Sequence, residues 1–355
     1  MKKYSSIDRR KFIKGTAMVT GGLMVGGIPV EAGAYVNPPE KEIKLALVGC
    51  GGRGTGAAMQ ALLTKENVKL VAMADVFRDR LDSSFQQLTA DEVADWSGAS
   101  GSVKQKVSVT EETKFTGFDA YKKAIALADV VILTTPPGFR PYQMEEAILQ
   151  NKHIFAEKPL ATDAAGVRKL FELVKLADEK KLNVVIGLQN HFSNKHREII
   201  RRVHDGLIGD IVSGQVYYLS EGVWMKERKP EYSELEYQMR NWYYFNWLCG
   251  DQIVEQHIHN IDAFNWAKNS YPVSAQGMGG RQVRTGKEYG EIYDHHYVEF
   301  SYGDGVLMNS QCRHIKGCMN KVAEHVVGTE GTAELQGNTG IIRDLKGNVI
   351  YNHRD

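Results

Sequence analysis

Leu47-Val48-Gly49-Cys50-Gly51-Gly52-Arg53-Gly54 closes an apolar run that starts at Ile43 and opens a helix-like stretch through Leu63. It contains G-x-G-x-x-G at Gly49, Gly51 and Gly54. In that pattern the first glycine makes a tight turn, the second admits a pyrophosphate to the backbone, and the third lets helix and strand pack closely. The phosphates then meet free N–H groups at a helix N-terminus. A second apolar run, Val68 to Ala74, is followed by Asp75, 21 positions past Gly54 (75 − 54), where an acceptor for a ribose diol is expected. A bare glycine-rich turn would account for the loop but not for the strand, helix and acid around it. The charge of Asp75 would repel a 2′-phosphate and so favours NAD. Arg78 and Arg80 lie close enough in sequence to accommodate one, which keeps NADP open.

Working outward, strand and helix signals alternate. Asp129 to Leu133 is a third strand after a helical stretch ending at Ala128, and Met144 to Leu149 reads as helix before a short strand at His153 to Ala156. Such alternation implies a parallel, doubly wound sheet, an α/β Rossmann domain. The polar piece from Thr89 to Thr116 reads as an insertion. After Pro159 the texture changes. Asp163 to Glu179 is an amphipathic helix, with Val167, Leu170, Val174 and Ala177 at helical spacing, and Val184 to Gly187 is another strand. Ile211 to Leu219, Tyr293 to Ser301, Val306 to Cys312 and Val322 to Val327 are strand candidates, interrupted by a helix near Gln252 to Trp266. Gly303-Asp304-Gly305 is a hairpin signal. The second half is therefore an α+β domain with a mainly antiparallel sheet, one face of which is free to cover a site or a partner subunit. The division expected is 1–34 as a leader, 41–160 as the Rossmann domain and 161–355 as a substrate-binding and oligomerisation domain.

The 355 residues are 43% hydrophobic and 25% charged with a net charge of +1, which suits a globular protein and makes nucleic acid a poor partner. Cys50, Cys249, Cys312 and Cys318 form no C-x-x-C pair; Cys312 and Cys318 read as unpaired thiols or as a disulfide across a bend. Arg9-Arg10 precedes an uncharged, glycine-rich run from Gly15 to Val30, then Ala32-Gly33-Ala34. A twin arginine, a weakly hydrophobic core and small residues at a cleavage site resemble a Tat-type signal, giving a periplasmic or otherwise exported protein. A cytoplasmic leader and an uncleaved anchor are the alternatives. The six glycines and prolines of the run (Gly15, Gly21, Gly22, Gly26, Gly27 and Pro29) argue against a stable membrane span.

Three later motifs complete a pattern: Thr134-Thr135-Pro136-Pro137-Gly138-Phe139-Arg140, then Glu157-Lys158-Pro159, then Glu255-Gln256-His257-Ile258-His259-Asn260-Ile261-Asp262. In this order, after the glycine loop, they resemble the Gfo/Idh/MocA oxidoreductases across nearly everything after the leader. The resemblance implies that Gly52, Arg53 and Asp75 hold the adenosine half of the cofactor and that Thr135 to Arg140, Pro136 and Pro137 included, line the dinucleotide. It also implies that Glu157 sits by the nicotinamide ribose, that Lys158 points into the site beside a cis bond to Pro159, and that Asn190 approaches the nicotinamide. Two positions depart from the pattern: Arg140 stands where many members have His, and Glu255 where many have Asp. No final helix returning to the Rossmann domain is legible before Asp355, so the sequence reads as a truncated product.

Oxidising a secondary alcohol needs a base for the hydroxyl proton, and histidine suits it because its pKa lies near working pH. His259 is the candidate, with Glu255 one helical turn earlier to orient it. Lys158 is placed to stabilise alkoxide charge. Asp262, Arg240 and His191 are candidate substrate contacts, Arg240 within the aromatic stretch Met239 to Trp247. Glu255, His257 and His259 as metal ligands are the weaker reading, because i, i+2 histidines diverge on a helix, and no metal is expected. The function expected is hydride transfer from a sugar, cyclitol or glycoside to NAD or NADP by a homo-oligomer. The alternatives are glycoside cleavage through transient oxidation with a captive cofactor, and a catalytically silent binding protein. Export raises the captive reading, since a periplasm offers no obvious soluble NAD pool.

Overall fold

In the computed structural model, residues 41–94 and 98–354 are described; the expected signal at 1–34 lies outside them. Residues Glu42–Asp355 group as one compact unit. Along the chain it runs β1 (Ile43–Val48), α1 (Gly52–Leu62), β2 (Val68–Asp75), α2 (Arg78–Leu88), β3 (Val93–Ala94), β4 (Ser100–Gly101), β5 (Lys114–Thr116), α3 (Ala120–Ala126), β6 (Val130–Leu133), α4 (Arg140–Leu149), β7 (His153–Ala156), α5 (Ala164–Glu179) and β8 (Val184–Ile186). These strands, apart from the β3–β4 hairpin, form one parallel sheet in the order β5-β2-β1-β6-β7-β8. Leu45 to Val48 are buried because helices cover both faces of this central strand. The sheet takes its last strand from beyond residue 160, and the end of the expected insertion, Lys114–Thr116, supplies its edge strand.

The chain continues as α6 (Asn194–His204), β9 (Ile211–Ser220), α7 (Glu234–Arg240), α8 (Asn246–Cys249), α9 (Asp251–Glu255), α10 (Ile258–Lys268), β10 (Pro272–Gly280), β11 (His295–Tyr302), β12 (Leu307–His314), β13 (Lys321–Gly328), β14 (Gly331–Gln336), β15 (Thr339–Asp344) and β16 (Val349–Arg354). The eight strands from β9 onward make one sheet, order β10-β11-β12-β9-β13-β14-β15-β16, antiparallel except for the β12–β9 pair. One face of that sheet packs on α6 and α10 through Ile199, Ile200, Val216, Phe264, Met308 and Val326. A further apolar cluster, Tyr237, Tyr243, Tyr244, Phe245 and Leu248, receives Val76, Phe77 and Phe139 from the loops of the parallel sheet and joins the two halves. Among the described residues no helix is long and apolar enough to cross a membrane. All four cysteines are free.

The helix expected over Gln252 to Trp266 is broken. Gln252 O accepts from both Gln256 N and His257 N, at 3.0 and 3.1 Å, and a new helix begins at Ile258. Glu255 and His259 therefore do not share one continuous helical face.

Two glycines set the geometry of the switch point, where strand order reverses between β1 and β6. Gly49 has φ +94°, open to glycine and strained for other residues. A Cβ on Gly54 would lie 1.9 Å from Gly49 O, whereas one on Gly51 would meet nothing within 4 Å. Gly54→Ala is accordingly expected to lower the melting temperature by on the order of 5 °C or more, and Gly51→Ala to leave it within about 1 °C. Equal melting temperatures would contradict this packing.

His257 and His314 are fully buried. Burial pulls their pKa values from 6.5 down to about 4 and about 3 respectively. The unfolded chain thus binds these protons at higher pH than the folded one, and stability is lost as pH falls below 6.5, by up to about 1.4 kcal/mol per pH unit for each ring. Melting curves between about pH 7.5 and 5 are expected to show a shallower acid slope in His314→Gln than in the wild type; identical slopes would count against a neutral buried His314.

Candidate active site

Two cavities meet where the halves join; both are lined by Arg53, Thr134, Thr135 and Trp242. The smaller, of about 420 Å³, lies over the glycine loop. Gly49, Gly51, Gly52, Gly54, Asp75 and Pro136 line it, with Trp224, Lys226, Met239, Arg240 and Trp242 from the second half. Helix α1 begins without a side-chain cap and without an acidic residue in its first turn. Its N-terminal N–H groups and dipole are thus not taken up by a capping side chain of its own and suit an anion. Thr134 Oγ1 donates to Gly49 O at 2.7 Å and fixes the loop against β6. Asp75 receives Cys50 N at 2.7 Å and Phe77 N at 2.9 Å, one on each carboxylate oxygen, leaving further lone pairs toward the cavity. Burial raises its pKa above the usual carboxylate value. An uncapped helix start, a cradle that the missing Cβ atoms of Gly51 and Gly52 leave open and an acid at the end of β2 fit a dinucleotide.

The larger cavity, about 1000 Å³, holds the candidate chemistry: Lys158, Glu255, His259, Glu157, Asn190, Pro137 and Thr135. The Lys158–Pro159 bond is cis. Lys158 Nζ donates to Glu255 O and, at 3.0 Å, to Glu255 Oε1. Burial pushes the Glu255 carboxyl up, with Lys158 opposing. Glu255 Oε2 and His259 Nδ1 are buried without a hydrogen-bond partner. Asn190 Nδ2 donates to His259 O at 3.3 Å. The expectation that His259 titrates near working pH is corrected: burial, then the charge of Lys158 and His196, lower its pKa to about 3, so the ring is neutral.

Four other expectations are corrected, those for Arg140, Arg240, His191 and Asp262. Arg140 does not reach for the dinucleotide: its side chain is buried and donates to the carbonyls of Leu133, Glu157 and Thr135, because a buried guanidinium must find acceptors. Arg53 lines the cavity at the adenosine end and also pairs with Glu157 at 2.6 Å. Arg240 lies at that end too, paired with Asp79 at 3.0 Å and stacked 4.0 Å over Phe77, so it is no contact for a substrate beside Lys158. His191 and Asp262 bond each other at 2.8 Å, His191 stacks on Trp266, and neither lines the larger cavity. The divergence expected of His257 and His259 is present, His257 going to Ser310 and Asn260.

Lys195, His196, Tyr218, Glu324, Gln336 and Asn338 also line the larger cavity and were not singled out in the sequence. Glu324 did carry a signal: it breaks the alternation of Val322 and Val326 on a strand face that is otherwise apolar.

Residues 43–188 match the Gfo/Idh/MocA family, described as an oxidoreductase family with an NAD-binding Rossmann fold. A "Glycosyl hydrolase family 109 protein 1" of Shewanella sp. (strain ANA-3) is 20% identical over 98% of this chain and 76% of its own length. An "Alpha-N-acetylgalactosaminidase" of Shewanella oneidensis is 24% identical over 62% of this chain and 48% of its own. Among solved structures, the fold is shared with an aldose-aldose oxidoreductase from Caulobacter crescentus at a TM-score of 0.66 and 18% identity, covering 89% of this chain and 84% of that one. The parallel sheet and its glycine loop make residues 43–188 an NAD-binding Rossmann domain, similar to that of the Gfo/Idh/MocA oxidoreductase family.

Proposed function

We propose that the protein oxidises a secondary alcohol of a carbohydrate-like substrate held in the larger cavity. The carrying observation is that Lys158, Glu255 and His259 converge there, next to the NAD-binding loops. NAD, held by Gly49 to Gly54, Asp75 and Thr135, supplies a hydride acceptor when bound. Glu255 is a positioning residue: it takes two of the three Nζ protons of Lys158, leaving the third for the substrate oxygen. The neutral His259 ring accepts the hydroxyl proton. Its weak basicity suffices because the oxygen turns steeply acidic as hydride leaves the adjacent carbon. Lys158 stabilises the negative charge that develops before the proton is gone.

A second reading, redox-assisted cleavage of a glycoside with hydride returned in each cycle, is supported by two observations. The relatives bear glycosidase names. And the smaller cavity is roofed by the second half, latched by the two-point Arg240–Asp79 pair at 3.0 and 3.2 Å. A roof of that kind retains its occupant. It also suits the proposed export through the twin-arginine leader, after which the cofactor travels inside the folded protein. A homo-oligomer is proposed as well: Met278 and Tyr297, paired in register on the sheet face away from α6 and α10, are exposed apolar side chains that a second copy would cover.

Purified protein is expected to release NAD on denaturation, identified by mass spectrometry. His259→Ala and Lys158→Met are each expected to keep the cofactor and lose on the order of 100-fold or more in kcat. Full turnover by His259→Ala would remove it as the base. Incubation with aryl glycosides without added NAD separates the two readings: aryl alcohol with no net NADH favours cleavage, stoichiometric NADH without cleavage favours net oxidation. Arg240→Ala is expected to release cofactor at least about tenfold faster on dilution, and an unchanged rate would sink the latch.

A further inference from the structure

We propose that His196 and Glu324 form a subsite that reads one neutral hydroxyl of the substrate, away from the carbon that reacts. The inference rests on the substrate occupying the larger cavity, as argued above. His196 on α6 is 6% exposed and Glu324 on β13 is 4% exposed, and both line that cavity. His196 Nδ1 lies 3.1 Å from Ser193 Oγ, while its Nε2 is buried and makes no hydrogen bond. Glu324 is held from behind: Asn260 Nδ2 donates to Oε1 at 2.6 Å, Asn260 Oδ1 is 3.3 Å from His257 Nδ1, and His257 Nε2 is 2.8 Å from Ser310 Oγ. The other oxygen, Oε2, stands 3.7 Å from His196 Nε2.

That separation is too long for a hydrogen bond. One oxygen atom about 2.8 Å from each group, standing to the side of the line between them, bridges it. A hydroxyl supplies both parts, donating to the carboxylate and accepting from the imidazole when Ser193 orients its tautomer. An anionic substituent is repelled by Glu324. A bare C–H leaves two buried polar groups unsatisfied, and this is how such sites discriminate. The neighbouring Lys195 donates to Gly337 O and seats the turn that brings Gln336 and Asn338 to the same wall. The subsite therefore selects neutral polyols and sugars that carry a hydroxyl at one particular position.

The test is a binding cycle on NAD-loaded protein, by calorimetry, with D-glucose, myo-inositol and N-acetyl-D-galactosamine as probes, then the single-deoxy analogues of whichever binds. Wild type, Glu324→Gln and His196→Phe are compared. For one deoxy position the wild type is expected to lose on the order of 100-fold in affinity and each variant less than about threefold, while other positions cost all three proteins alike. Either variant suffices if the other fails to hold NAD or to melt near the wild-type temperature. Equal losses in wild type and variants at every position overturn the subsite. Coupling without any oxidation or cleavage supports the subsite and sinks the proposed chemistry. Turnover without coupling sinks the subsite alone, and a wild type that binds no probe overturns both.

Discussion

A single buried guanidinium holds the junction on which the rest depends. Arg140 ties together the carbonyls of Leu133, Thr135 and Glu157, at the carboxyl ends of the two strands β6 and β7. Burial lowers its pKa to about 10, so it stays charged at neutral pH. Removing one partner of such a buried charge typically costs about 3–5 kcal/mol. The consequences run outward along the chain. Thr135 lies with Thr134 in the loop that lines both cavities, and Lys158 follows Glu157 directly. Glu157 reaches Arg53 on the glycine-loop helix, and Lys158 reaches Glu255 in the second half.

Electrostatics then divides the two cavities. Over the glycine loop, uncapped helix N–H groups and Asp75 suit phosphates and a ribose diol. In the larger cavity a desolvated Lys158–Glu255 pair sits near a neutral His259. A resting imidazole that carries no charge avoids repulsion with Lys158 and leaves a lone pair available for the base role proposed above. The same burial that weakens its basicity keeps it in the right protonation state.

The parallel half was legible because its signals are local: Ile43–Val48, the three glycines and Asp75 follow one another within a single β-α-β unit. The two-halved architecture and the cis Lys158–Pro159 bond were also anticipated. What escaped depends on tertiary contact. The roles of Arg140 and Arg240 were misread because an arginine near a motif cannot reveal whether carbonyls or Asp79 lie closer than a ligand. The break at Gln256 leaves the hydrophobic pattern of Gln252 to Trp266 intact and so is invisible in it. Strand β10 is a glycine-rich edge, exposed along nearly its whole length, and carries little alternation to read. His196 and Glu324 lie 128 positions apart (324 − 196) and are brought together by the packing of α6 on the sheet.

The central claim is that an alcohol carbon in the larger cavity gives up its hydrogen as hydride to NAD held over Gly49 to Gly54. Rapid-quench mass spectrometry of the cofactor, after mixing NAD-loaded protein with a sugar deuterated at its ring carbons, tests it most directly. The account predicts a transient fraction of cofactor heavier by one deuterium, whether the hydride is later returned or not, and a much smaller fraction in Lys158→Met. Cofactor that stays unlabelled while the sugar is bound or cleaved would contradict it.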